Sequence, residues 1–215
     1  MSLCLTNLAI RNSVGDVLFS NLNLNVEAGE LVTLMGPSGC GKSTLLDVIA
    51  GHLADEFTAN GEVSLNNEKL NNVSPHLREV GILFQEDLLF PHLNVWQNLA
   101  FALPNCVKGS ERYTQAIHAL EQIDLAALAD SYPDQISGGQ RARIALTRML
   151  LAKPKAVLLD EPFSKLDQDS RKQFRTWVFG QLKQANIPAL MVTHDISDVP
   201  ENGKVLSWPW ESTHA

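Results

Sequence analysis

Nine consecutive residues constrain this chain more than any others: Gly36-Pro37-Ser38-Gly39-Cys40-Gly41-Lys42-Ser43-Thr44, which fit the spacing G-x-x-x-x-G-K-[S/T]. Glycines so spaced let a tight turn aim backbone N–H groups inward. The lysine can then reach the β/γ-phosphates of a nucleotide, the serine hydroxyl can reach a magnesium ion, and a helix opening at that point turns its positive end toward the anion. A plain glycine turn is the bland alternative, and the flanks argue against it. The loop follows Leu31-Val32-Thr33-Leu34-Met35, apolar in the manner of a strand covered on both faces. It precedes Lys42 to Ala50, where Leu45, Leu46, Val48 and Ile49 form the inner face of a helix and Gly51 is placed to end it. The expectation is that Gly36 to Thr44 hold the phosphates of ATP, with Lys42 on the β/γ oxygens and Ser43 on Mg²⁺.

A second apolar run, Ala156-Val157-Leu158-Leu159, ends in Asp160-Glu161-Pro162. Buried strands of open α/β sheets present ligands at their carboxyl ends. Two readings stand for this segment alone: a charged loop after a core strand, or a catalytic pair. Beside a phosphate loop the second gains weight, with Asp160 holding Mg²⁺ through its water shell and Glu161 polarising an attacking water.

The rest of the chain supplies an α/β frame. Leu3, Leu5, Leu8 and Ile10 suggest a strand, as do Leu18-Phe19, the strict alternation of Leu22 to Val26, Gly61 to Leu65 and Val80 to Phe84. From about Glu86 to Ala152 the pattern is helical, with helices expected over Trp96 to Leu103, Arg112 to Ile123 and Gln140 to Leu151. Strand character returns at Ala156 to Leu159 and Ala189 to Thr193, separated by an amphipathic helix over Arg171 to Gln184. Strands alternating with helices imply a parallel sheet. The helical block 86–152 reads as an insertion, because core strands lie on both sides of it.

Composition narrows the partners. At 215 residues the chain suits one domain, 1–215, with a subdomain inside it. A formal net charge of −7 argues against nonspecific nucleic-acid binding and against direct adhesion to anionic lipid. No apolar run approaches the roughly 18 residues needed to cross a bilayer, and the first residues lack the form of a secretory signal. Any membrane association is then expected to go through a protein partner. Three widely spaced cysteines, Cys4, Cys40 and Cys106, exclude a disulfide framework and suit a reducing interior.

Ile136-Ser137-Gly138-Gly139-Gln140 stands directly before the helix starting at Arg141. Ser137 can cap that helix, and the glycines let backbone approach a phosphate. Here the sequence resembles the ABC ATPases, whose signature LSGGQ differs only by Leu for Ile136. The resemblance covers roughly residues 3 to 198. In family order, Gln85 matches the Q-loop glutamine, Ser164-Lys165-Leu166-Asp167 the D-loop, and His194 the switch histidine; Lys165 stands where a small residue is usual. The resemblance implies a P-loop NTPase core with parallel sheet, an N-terminal antiparallel β subdomain and an inserted α-helical subdomain. It implies a head-to-tail pair of such domains, in which Ser137, Gly138, Gly139 and Gln140 serve the nucleotide held by the partner's phosphate loop. It also implies Glu161 as general base, His194 on the γ-phosphate, and Gln85 beside Ser43 and Asp160 at the metal.

The stretch Glu86 to Val95 resembles the importer subclass, where it helps form a groove for a coupling helix of the membrane subunit; plain packing on the helical subdomain is the other reading of Leu88, Leu89 and Phe90. The resemblance, closest to the Ynj-type uptake ATPases, thus implies an ATP-driven importer subunit. Its partners are an integral membrane permease and an extracytoplasmic substrate-binding protein, and it sits on the cytoplasmic face of the membrane through the permease. A soluble, non-transport ABC ATPase is the alternative. One departure stands out. Importer ATPases often stack adenine on an aromatic residue before the second strand, and Ile10 to Asp16 contains none. Phe19 reads as a strand residue, so weak selectivity among bases is expected.

Overall fold

Two periodicities, first of two and then of 3.6, divide the chain into sheets and helices. A computed structural model describes residues 1–201 and 203–210, with side chains for all of these except 169 and 170. The elements run β1 (Ser2–Asn12), β2 (Val17–Glu27), β3 (Leu31–Met35), α1 (Lys42–Ala50), β4 (Phe57–Leu65), β5 (Glu68–Lys69), β6 (Val80–Leu83), α2 (Val95–Ala102), α3 (Ser110–Glu121), α4 (Gly138–Leu151), β7 (Ala156–Asp160), α5 (Gln168–Ala185), β8 (Ala189–Thr193) and β9 (Lys204–Ser207).

One sheet is antiparallel, in the order β2-β1-β4-β5. Its register follows the alternation: in β2, Leu22, Leu24 and Val26 are buried while Asn23, Asn25 and Glu27 are exposed. The second sheet has the order β6-β7-β8-β3-β9. In it β8 runs parallel to both β3 and β7, and β9 runs parallel to β3. Every residue of β8 is buried, as strands covered on both faces require. The fold is therefore the expected α/β one, with a parallel sheet and an N-terminal antiparallel sheet. Helix α1 occupies the expected residues. The last strand, β9, has no counterpart among the sequence expectations, which ended at Thr193.

The chain packs as two compact units. The first comprises Met1–Ile82, Lys155–Glu161 and Phe179–Ala215 so far as it is described; the second comprises Leu83–Pro154 and Pro162–Val178. Within the first unit the two sheets share a core with α1, including Leu8, Leu34, Leu45, Ile49, Val192 and Trp210. Within the second, α2 packs on both α3 and α4, burying Leu99, Leu120, Ile144 and Leu146.

Candidate nucleotide site

The phosphate loop is held where β3 ends. Two glycines there are required sterically. Gly41 has φ 95°, a left-handed conformation that side chains disfavour. A Cβ on Gly36 would lie 2.7 Å from Cys40 Sγ and 3.2 Å from Trp208 Cβ. Gly41 is also the N-cap of α1 and offers no side-chain cap, which leaves the first-turn N–H groups for an anion. Lys42 is 5% exposed, and its ammonium donates to the carbonyls of Gly36 and Pro37, both at 2.9 Å. The Ser43 hydroxyl donates to Asp160 Oδ1 at 3.1 Å.

The carboxylates close this arrangement. Glu161 turns the chain at the end of β7 with φ 43°, anchored by its N–H to the Val192 carbonyl at 3.0 Å. Its Oε1 lies 3.7 Å from Lys42 Nζ and 3.1 Å from His194 Nδ1. Burial pushes the Asp160 carboxyl above the usual carboxylate range; the Ser43 hydroxyl pulls it back down, Glu161's charge raises it, and Lys42 lowers it. A hydroxyl and a carboxylate in contact are hard oxygen donors of the kind Mg²⁺ takes. Burial likewise raises the Cys40 thiol, opposed by Lys42. The first unit thus brings together the predicted residues Gly36 to Thr44, Asp160, Glu161 and His194.

The remaining predicted residues belong to the second unit. Ser137 caps α4: its Oγ accepts from the Gln140 N–H at 3.3 Å, and Gln140 Oε1 accepts from the Ser137 N–H at 2.8 Å. A reciprocal cap of this kind fixes the helix entry. Gly138 and Gly139 open the helix, and among the described residues a Cβ on Gly139 would meet nothing within 4 Å. Packing against the described residues therefore does not explain that glycine. Gln85, exposed just after β6, lines a groove of about 340 Å³ with Glu86, Gly138, Arg141 and Lys165.

Three side chains order the segment after Gln85, and of these the sequence motifs single out only Lys165. Arg141 pairs with Asp87 at 2.8 Å and donates to the Ile136 carbonyl at 2.9 Å, tying the Ser137 turn to the segment after Gln85. Asn98, fully buried, accepts from the Phe90 N–H at 2.8 Å and donates to the carbonyls of Phe90, Leu93 and Asn94. Lys165 pairs with Glu86 at 3.1 Å. The apolar run 88–90 splits: Leu89 is buried, whereas Leu88 is 51% exposed.

The chain matches the family model described as ABC transporter over residues 19–164. It is 48% identical over 204 residues to the uncharacterized ABC transporter ATP-binding protein YnjD of Escherichia coli K12, covering 95% of this chain and 94% of that one. It is 43% identical to the sulfate/thiosulfate import ATP-binding protein CysA of Pseudomonas aeruginosa over 84% of this chain and 56% of the relative, so it spans little more than half of that protein. Among solved structures, a dimeric post-hydrolysis state of the ATP-binding cassette MJ0796 bound to ADP and Pi superposes with a TM-score of 0.75 at 32% identity, covering 91% of this chain and 89% of that one.

Proposed function

Because this chain belongs to the ABC transporter ATP-binding family, we propose that it is the ATP-hydrolysing subunit of an importer, a single domain of 1–215 carrying an inserted helical subdomain near 86–152. The observation that carries the reading is one cluster: Lys42, Ser43, Asp160, Glu161 and His194 converge at the uncapped start of α1. Gly36 to Thr44 hold the phosphates of ATP, with the Lys42 ammonium on the β/γ oxygens. Ser43 and Asp160 are the residues that would hold Mg²⁺, which when bound neutralises charge on those oxygens, and Gln85 has the metal role that the family resemblance implies for it. Glu161 takes a proton from the attacking water, and His194, in contact with its carboxylate, reaches the γ-phosphate.

The Ser137-Gly138-Gly139-Gln140 turn serves a second nucleotide. Its support is the open space over Gly139 together with the dimeric assembly named for the MJ0796 cassette. A homodimer would form two such shared sites. Among the described residues no helix is long and apolar enough to cross a membrane. Membrane attachment at the cytoplasmic face would then rest on a permease, docked near the exposed Leu88, with an extracytoplasmic substrate-binding protein delivering cargo. Mutation tests the cluster. Glu161→Gln is expected to bind ATP, hydrolyse it at least 100-fold more slowly, as removal of a general base predicts, and elute as an ATP-dependent dimer in size-exclusion chromatography. A monomer with normal turnover would remove Glu161 from this role. Lys42→Ala is expected to release no phosphate.

A further inference from the structure

The turn joining β1 and β2 presents no aromatic ring: Val14 is its exposed apolar residue, at 81%. Phe19 does not substitute. It is 7% exposed, and its ring meets Trp210 edge-on at 5.4 Å. Nucleoside binding therefore needs a surface elsewhere, and the sheet order bears on its side. Strand β3 lies between β8 and β9. Asp160 and Glu161 follow from β7 and His194 from β8, so all three lie on the β8 side of the phosphate loop, and Ser43 bonds to Asp160. The reacting end of a triphosphate belongs with these groups. A nucleoside directed away from these groups would meet β9, and carboxyl ends of strands are where parallel sheets receive ligands.

Two tryptophans stand there. Trp210 is 2% exposed, and its indole N–H donates to the Met35 carbonyl at 2.9 Å. Trp208 donates its backbone N–H to the same carbonyl at 2.8 Å. Its ring stands perpendicular to Trp210 at a centroid distance of 4.9 Å, and its Cβ lies beside Gly36, the first residue of the phosphate loop. Of the rings Phe19, Trp210 and Trp208, the last alone is partly open to solvent. The inner two fix it in place.

We infer that Trp208 is the base-stacking surface of the nucleotide site, replacing the aromatic that the β1–β2 turn lacks. This rests on the ATP-binding reading given above. An indole face stacks on any base, so Trp208 adds affinity for nucleosides without choosing adenine over guanine. Calorimetric titration with ATP, GTP and inorganic tripolyphosphate separates the contributions. Trp208→Leu keeps apolar packing and removes the aromatic face. It is expected to weaken ATP and GTP about tenfold each, which corresponds to about 1.4 kcal/mol, and to leave tripolyphosphate unchanged. Trp208→Phe is expected to bind both nucleotides within threefold of the parent protein. Unchanged ATP affinity in Trp208→Leu overturns the inference, as does equal loss of ATP and tripolyphosphate, which would make the residue a packing group. Failure of the parent protein to bind ATP at all would instead overturn the nucleotide-site reading.

Discussion

Arg78 is 7% exposed and carries no role in the nucleotide chemistry, yet its replacement should be among the most damaging outside the site. Its guanidinium donates to the carbonyls of Val48 at 2.8 Å, Ile49 at 2.9 Å and Val73 at 2.8 Å. The first two are end carbonyls of α1, which lack partners within the helix. In Arg78→Met all three acceptors lose their donor, and a buried neutral acceptor left unpaired costs about 1 kcal/mol or more. Loss of a cation at a helix C-terminus adds about 0.3–1 kcal/mol. Against this, burial depresses the Arg78 pKa, a sign of a desolvation penalty that Met does not carry. The net expectation is a loss of about 2–4 kcal/mol. Urea unfolding of the parent and variant, read at unchanged m-value, measures it directly. Arg78→Lys keeps the charge but not the fork and should fall between the two. A loss below about 1 kcal/mol would show that water or backbone relaxation satisfies those carbonyls, and that the guanidinium does not tie down the end of α1.

Two further outcomes concern titration. Burial, and second the charge of Asp160, holds the Asp47 carboxyl above the usual range. A carboxyl raised on folding stabilises below its unfolded pKa and loses that contribution as pH rises through the folded value. Asp47→Asn should therefore raise the melting temperature at pH 7, with the gain vanishing below about pH 3.9; an equal gain at every pH would point to another cause. Alkylation of Cys40 should inactivate the protein and be blocked by ATP. Because burial raises its thiol pKa, the rate should be slow at pH 7 and climb steeply toward pH 9. Equal inactivation of Cys40→Ala would assign the effect to Cys4 or Cys106.

What could be read from the sequence was local in origin. The β3–loop–α1 unit declares itself because an apolar run, a glycine spacing and a helical period lie within twenty residues of one another, each set by neighbours along the chain. The carboxylates at the end of β7 were legible for the same reason. Other features depend on distant partners. Strand β9 is four residues, Lys204-Val205-Leu206-Ser207, too short to show a period, and it exists because β3 offers an open edge. Missing it hid Trp208 and Trp210 from any reading of the nucleotide site. Arg78 sits in a polar stretch, where a charge is ordinarily exposed; it is buried because α1 ends beside it with carbonyls to satisfy. Asp87 and Arg141 lie 54 positions apart and meet through folding alone.

Gly139 is the converse case, a residue plain in the sequence whose reason lies outside the folded chain. It occupies the first turn of α4, where alanine is the better helix former by about 1 kcal/mol. Among the described residues a Cβ there would touch nothing within 4 Å, and Ser137 and Gln140 already complete the cap without it. By folding criteria alone Gly139→Ala should be harmless or stabilising, raising stability by up to about 1 kcal/mol. By the reading of this turn as one half of a shared site, the added methyl stands where a phosphate must approach backbone N–H groups closely, and hydrolysis should fall by at least tenfold. The two measurements are expected to move in opposite directions. Denaturation and phosphate release on the same preparation decide the matter. Turnover equal to the parent protein's would show that no ligand comes near Gly139, and the shared-site assignment of residues 137–140 would have to be withdrawn.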